Sequence, residues 1–347
     1  MKPAEAGGEP EPLPGQLMLP GMPYPGPEPG AGQAVLPGLD DLRDLAPSQD
    51  PELAAVATEL TALDSDGSRM AAAIRGALDM LLDGQHTGRY RWEQLHKTEK
   101  THAGTLVEIA LARSLRLPDG TALDYTIAGA DVDCKFSHRL GGWMIPPEAD
   151  GLLMLLVQAS DEDGSWSAGL LRATPENLSL AGNRDGKRAL NDRGRAAVCW
   201  LHHRAALQEN ALIRLPERDV AAIFASASGQ QRVNELFRRA QRMRVSRTVV
   251  ATVAMQDDYM KRVRDGGGAR DQLRAEGIVI FGDYAGDQLL ACALDLPRPG
   301  PGEFVSARLA RRRDGHDAYA RSIRLDGADW LLAAPADPAG PAPALPR

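Results

Sequence analysis

The sequence predicts an α/β chain in two parts: a mixed sheet flanked by helices, then a smaller basic unit built around a winged helix-turn-helix. Three observations carry this. Apolar residues between positions 51 and 117 recur at three- and four-residue spacings. Short apolar runs of strand length lie between 123 and 172. Beyond about residue 210 the pattern returns to amphipathic helices dense in arginine.

At 347 residues the chain has the length of about two domains with tails. Residues 1–40 hold ten prolines and eight glycines, so a disordered tail is expected over 1–48. A first domain is expected over 49–200, a linker over 201–209 and a second domain over 210–313. An extension over 314–347 follows, disordered from about 333, where the composition turns to Ala and Pro.

The first helical stretch places Leu53, Val56, Leu60 and Leu63 on one face, and the second does so with Ile74, Leu78, Leu81 and Leu82. Asp83-Gly84 ends the second helix. Leu81-Leu82-Asp83-Gly84 echoes the Lys-x-Asp-Gly element of DNA ligases, but Leu81 stands where the nucleophilic amine belongs, so no nucleotidyl transfer is expected. A third helix over 101–117 carries Glu108 beside its apolar face. Strands are expected over 123–127, 132–136, 152–159 and 166–172, the last after the turn Asp161-Glu162-Asp163-Gly164. In the second domain, Val233, Leu236, Phe237 and Ala240 mark one helix, and Val245, Val249 and Val253 mark another after a break at 241–244. Strands over 278–281 and 288–294 would supply the wing.

The formal charge of −7 is unevenly spread. Residues 1–60 carry two basic and ten acidic side chains, so the remainder is close to neutral. Residues 210–313 hold eighteen Lys/Arg against twelve Asp/Glu, a net of +6. A basic second half points to an anionic polymer as partner. Three scattered cysteines form no zinc pattern and suit a reducing compartment, hence the cytoplasm. No apolar run is long enough to span a bilayer, so no membrane association is expected.

The chemistry concentrates at 108–135. Asp124 is followed after eight residues by Asp133-Cys134-Lys135, with Glu108 sixteen residues upstream of Asp124. Alternation along a strand puts Asp133 and Lys135 on one face and the Cys134 side chain on the other. Carboxylates beside an ammonium suit a hard divalent cation with an activated water, the equipment of a metal-dependent phosphodiesterase. Asp124 and Asp133 are the expected Mg2+ ligands, with the Cys134 backbone carbonyl and Glu108 as further ones. Lys135 would orient the water and offset charge on the phosphorane-like transition state. Asp131 shares the Asp133 face one step farther from Lys135 and reads as a bystander. The spacing alone favours a surface strand with a cross-strand ion pair. Glu108 on a preceding helix, the neighbouring apolar strand and the basic second half favour the nuclease.

For DNA contact the candidates are Arg238, Arg239, Arg242, Arg244, Ser246, Arg247 and Thr248 around the helix-turn-helix. Six arginines face a single acid over 232–247. Nearer the catalytic strand, Arg139, Trp143, Lys187, Arg188, Asn191 and Arg193 could reach bases or phosphates, arginine reading guanine and asparagine adenine. Adjacent His202 and His203 cannot face one metal together and read as an exposed hinge.

The block His96-Lys97-Thr98-Glu99-Lys100-Thr101-His102-Ala103-Gly104-Thr105-Leu106-Val107-Glu108, continuing to Ala130-Asp131-Val132-Asp133-Cys134-Lys135, resembles the NaeI-type (type IIE) restriction endonucleases. These belong to the PD-(D/E)xK superfamily, and the Gly-x-Leu-x-Glu pattern is also similar to the MutH-type mismatch-repair nickases. The resemblance covers most of 50–310. It implies Glu108, Asp124, Asp133 and Lys135 as catalytic residues, and 5′-phosphate and 3′-hydroxyl products. It further implies an endonuclease domain followed by a CAP-like helix-turn-helix domain. The expected enzyme is a homodimeric, Mg2+-dependent, site-specific type II nuclease that binds two copies of double-stranded DNA, one as effector. A cognate methyltransferase would protect host DNA. Leu123 replaces the proline of the PD motif. The alternatives are a MutH-like nickase and a non-catalytic helix-turn-helix regulator.

Overall fold

The computed structural model describes residues 50–346, Ala318 excepted. The tail expected over 1–48 lies outside the described residues.

The chain enters through three helices that make one side of the first core. Helix α1 (Pro51–Leu63) starts where the Asp50 carboxylate accepts the Leu53 N–H at 3.0 Å and Pro51 fills the first turn. Helix α2 (Ser68–Leu82) stops at Asp83, whose φ of 48° is left-handed, as the Asp-Gly pair predicts. A single turn, α3 (Gly84–Thr87), follows. Helix α4 (Lys97–Leu115) begins earlier than expected because Glu99 reaches back to accept the His96 N–H at 2.8 Å.

Strands β1 (Tyr125–Ile127) and β2 (Ala130–Ser137) form a hairpin, and β3 (Met144–Ile145) leaves the main sheet. Strands β4 (Leu153–Ser160) and β5 (Ser165–Arg172) follow; β6 (Arg188–Ala189) pairs with β3; after the short helix α5 (Asp192–Ala196) comes β7 (Cys199–Ala206). The main sheet runs β1-β2-β4-β5-β7, with β2 and β4 parallel and the other pairs antiparallel. The mixed sheet is therefore as predicted. Strand β4 is buried at every position because its two faces enter different cores. Leu153, Leu155 and Val157 meet Val107, Leu111 and Ile74 from the helices. Met154 and Leu156 meet Trp143, Ile145 and Leu190 on the far side.

The stretch 201–209, predicted as a linker, is strand through Ala206. It pairs with β5 at the sheet edge, and Leu201 is buried in the first core. His202 is likewise buried and lies 5.0 Å, ring to ring, from Trp166, whereas His203 stacks on Trp200 at 4.4 Å. They face opposite ways, His203 exposed as expected and His202 not, and both lie in a strand rather than a hinge.

A second core follows. It gathers α6 (Ala211–Arg214), α7 (Glu217–Phe224), α8 (Gly229–Arg239), β8 (Arg244–Ser246), α9 (Arg247–Ala254) and α10 (Ala269–Arg274). Behind it stand β9 (Ile278–Phe281), α11 (Ala285–Ala293), β10 (Glu303–Arg311), β11 (Ser322–Leu325) and β12 (Ala328–Leu332). Strand β10 pairs antiparallel with β8, β9 and β12.

The wing predicted from strands over 278–281 and 288–294 is not formed: the second stretch is helical. Ala285–Ala293 is rich in Ala and Leu, and the Asp287 carboxylate, buried in the first turn, accepts the Gly282 N–H at 2.7 Å. Nor is the C-terminal segment loose. It carries no regular element after Leu332, yet Ala342 is buried and donates its N–H to the Arg274 carbonyl at 2.9 Å.

The two cores meet through buried charge. Arg75 on α2 pairs with Asp79 at 2.6 Å and with Asp161 just past β4. Asp79 in turn bonds the Thr248 hydroxyl at the start of α9. Breaking one partner out of such a buried set typically costs ~3–5 kcal/mol, so α2, β4 and α9 hold one another in place.

Candidate active site

The carboxylates converge at the edge of the main sheet, where three elements bring them from distant positions. Asp133 and Lys135 lie on one face of β2 and form an ion pair of 2.5 Å. Between them, the Cys134 side chain enters the helix-side core, which pushes its thiol up to about 12. Alternation alone places this triplet.

Asp124 sits just before β1, in a turn with no regular structure. Its carboxylate accepts the Cys134 N–H at 2.7 Å and comes within hydrogen-bonding range of Asp133. Glu108 arrives from α4. The Tyr125 hydroxyl donates to the Glu108 backbone carbonyl at 2.8 Å, tying the helix to the hairpin at this level.

The electrostatics show how crowded these charges are. Burial raises the Glu108 carboxyl above its ordinary range, and Asp124 and Asp133 raise it further, against Lys135. Asp133 is also raised, chiefly by burial, with Lys135 opposing and Asp124 adding to the shift. Three carboxylates against one ammonium leave negative charge uncompensated. All their donors are hard oxygens, so the donor chemistry fits a divalent cation such as Mg2+. Among the described residues, no three His, Cys, Asp or Glu side chains already stand together as a metal-holding group. Asp133 is turned toward Lys135, and the Cys134 carbonyl accepts from Lys135 Nζ at 3.1 Å.

Beyond the end of β2 opens a cleft of about 1230 Å³, lined among others by Trp92, Lys100, His138, Arg139, Gln158 and Arg204. Of these, only Arg139 was a candidate for DNA contact from the sequence. Lys100 lies two turns before Glu108 on α4, and Ser137 is two residues past Lys135, so the cleft borders the carboxylates without containing them. Trp92 stacks flat on His138 at 4.4 Å, and the buried His138 Nδ1 has no hydrogen-bond partner. A tryptophan meeting a histidine 46 positions later leaves no signal in either local pattern.

The other predicted contact residues divide sharply. Arg139, Lys187 and Arg193 are exposed, and Arg188 is half-buried on β6. Asn191 is committed to structure: it caps α5 by accepting the Gly194 N–H at 2.8 Å and donates to the Glu176 and Leu178 carbonyls. Trp143 is buried with Nε1 donating to the Val157 carbonyl at 2.8 Å, so it does not reach DNA. Around the second core, Arg238 is held by Glu276 and Glu235, and Arg239 by Glu235 and Asp219. Ser246 caps α9 by accepting the Val249 N–H at 3.2 Å, and Thr248 is engaged by Asp79. Arg242, Arg244 and Arg247 stay exposed, with Arg244 only 3.9 Å from Glu303. Helix α9 is buried from Val249 to Ala254 and so cannot lay a side-chain face into a groove.

Comparison with known proteins gives the family. The restriction endonuclease NaeI family profile matches residues 54–341. The type II restriction enzyme NaeI of Lentzea aerocolonigenes is 48% identical over 306 residues, which cover 86% of this chain and 95% of that enzyme. The profile match runs across both cores. The chain belongs to the NaeI family of restriction endonucleases, and it is a type II site-specific deoxyribonuclease.

Proposed function

We propose that Glu108, Asp124, Asp133 and Lys135 are the catalytic residues of a Mg2+-dependent, homodimeric enzyme that makes double-strand cuts in DNA. The observation that carries this reading is the convergence of three carboxylates and one lysine from α4, the pre-β1 turn and β2. Asp124 and Asp133 would hold the cation, with Glu108 and the Cys134 carbonyl as further ligands. When bound there, a divalent cation polarises the scissile phosphate and makes its water more acidic. Lys135 orients the attacking water and offsets charge growing on the phosphate. The Asp133–Lys135 pair keeps the ammonium on the reacting face of β2.

On this reading a PD-(D/E)xK core occupies about 50–207, since β7 completes its sheet, and a helix-turn-helix unit about 210–313. The DNA face of the second unit is the turn at Arg242 with the adjoining β8 residue Arg244 and the first α9 residue Arg247, because α9 is buried from Val249 onward and Arg238 and Arg239 are neutralised. This turn would receive the second, effector copy of the site. Symmetric cutting of both strands calls for a twofold dimer. Protection of host DNA would come from a cognate methyltransferase, and the cytoplasm is the place of action. Among the described residues no helix is long and apolar enough to cross a membrane.

The test is Mg2+-dependent cleavage of a supercoiled plasmid library by wild type and by Asp133→Ala, with the ends sequenced. Double-strand ends at one recurring sequence, absent with the variant, are expected. Nicks alone would replace this reading with the nickase. Persistent cutting by the variant would remove Asp133 from catalysis.

A further inference from the structure

Asp124 belongs to no strand or helix, so its position depends on what holds residues 118–124 in shape. The turn is bound to the hairpin by backbone bonds, Thr126 N–H to the Pro118 carbonyl at 2.9 Å and Gly120 N–H to the Asp124 carbonyl at 3.3 Å. Gly120 packs so closely on the Leu123 carbonyl that a Cβ there would collide with it. The centre of the turn is gripped by a side chain. Asp131 Oδ1 accepts the Thr121 N–H at 3.0 Å, and Oδ2 accepts the Ala122 N–H at 3.0 Å. The Thr126 hydroxyl, opposite Asp131 in the hairpin register, donates to Oδ1 at 3.3 Å and steadies the carboxylate.

We propose that Asp131 is a positioning residue for cleavage: its carboxylate clamps the turn that presents Asp124 to Asp133 and Lys135. The bystander reading from the sequence is thereby replaced. Asp131 and Asp133 share a face of β2, and the strand spends the two carboxylates differently. One grips the turn, and the other faces the reaction. Bonds from two N–H groups to an ionised carboxylate are about twice as strong as neutral ones. They act two and three residues from Asp124, where a displacement of about 1 Å could cost up to 100-fold in rate.

This inference rests on the nuclease reading above. The experiment measures single-turnover cleavage, DNA affinity without divalent metal, the unfolding midpoint and amide exchange at Thr121 and Ala122. It does so for wild type, Asp131→Ala and Asp131→Asn in the full chain. Asp131→Ala should cleave roughly 10- to 100-fold more slowly, with affinity within about twofold and faster exchange at both amides. Asp131→Asn, which keeps one acceptor oxygen, should fall between the two and covers the case in which the alanine variant fails to fold. A merely structural role would lower the midpoint while leaving the rate of the folded enzyme unchanged, and that result overturns the proposal. So does unaltered exchange. A wild type that cuts no DNA overturns the nuclease reading itself, and this role with it, whereas a wild type that cuts alongside an equally fast Asp131→Ala overturns this role alone.

Discussion

The sheet edge at Asp124–Lys135 and the arginine turn at Arg238–Arg247 both looked, in sequence, like charges set out for a phosphodiester. In the folded chain they differ. At the edge, three carboxylates crowd one lysine and the Glu108 and Asp133 carboxyls are raised, so charge is left to be answered by something outside the chain. In the arginine segment, Asp219, Glu235 and Glu276 answer Arg238 and Arg239 within the chain. Arg242, Arg244 and Arg247 are exposed as well, and of these Arg244 lies 3.9 Å from Glu303. A local excess of one charge is informative only after the folded partners are counted. On the proposed reading, charge left unanswered within the chain marks the functional surface in both places.

The largest effect should come from Lys135→Ala. Removing this ammonium should slow cleavage by roughly 10²–10³-fold in single turnover while leaving DNA binding intact. A rate within a few-fold of wild type would dissolve the contrast at its stronger end. The two arginine classes can then be separated by salt. Arg247→Ala should lower the slope of log K against log salt by about one, and Arg238→Ala should leave it unchanged, in gel-shift titrations. Equal slopes for both variants would mean that the Glu276 and Glu235 pairs open on binding.

The crowding itself has a pH signature. Glu108 should titrate above the ordinary carboxylate range by carbon NMR without metal, and Asp124→Asn should bring it down, since a neighbouring negative charge is removed. The linkage has a definite sign. A carboxyl whose folded pKa is raised binds its proton more tightly folded than unfolded. Metal-free stability should therefore fall as pH rises from the unfolded value through the raised one, and stay level beyond it. The smallest effect belongs to the exposed pairs: Arg238→Ala should cost only about 0.2–1 kcal/mol in denaturant unfolding.

Much of the candidate catalytic edge was legible because it obeys a short-range rule. Strand alternation set Asp133 and Lys135 on one face and Cys134 in the core. Helix periodicity brought Glu108 to the right side of α4, and Asp83-Gly84 marked the end of α2 through a left-handed residue. Resemblance to a known family completed the set. The wing strand over 288–294 failed because Ala- and Leu-rich sequence with a buried Asp287 in its first turn winds into a helix. Asn191 and Trp143 looked available to DNA, but the folded chain had already claimed their donors and acceptors.

By itself, then, the sequence determined the mixed α/β class, the strand carrying Asp133 and Lys135, and the family. Each follows from spacing within a few residues or from a pattern spread along the chain. Only the tertiary structure decided which charges stay unanswered. Glu276 reaches Arg238 across 38 positions and Asp161 reaches Arg75 across 86. It also decided that α9 is buried and that Asp131 grips the turn beside Asp124. Hydrogen bonds and ion pairs depend on distances of about 3 Å, and residues far apart in sequence reach those distances only when the cores have packed.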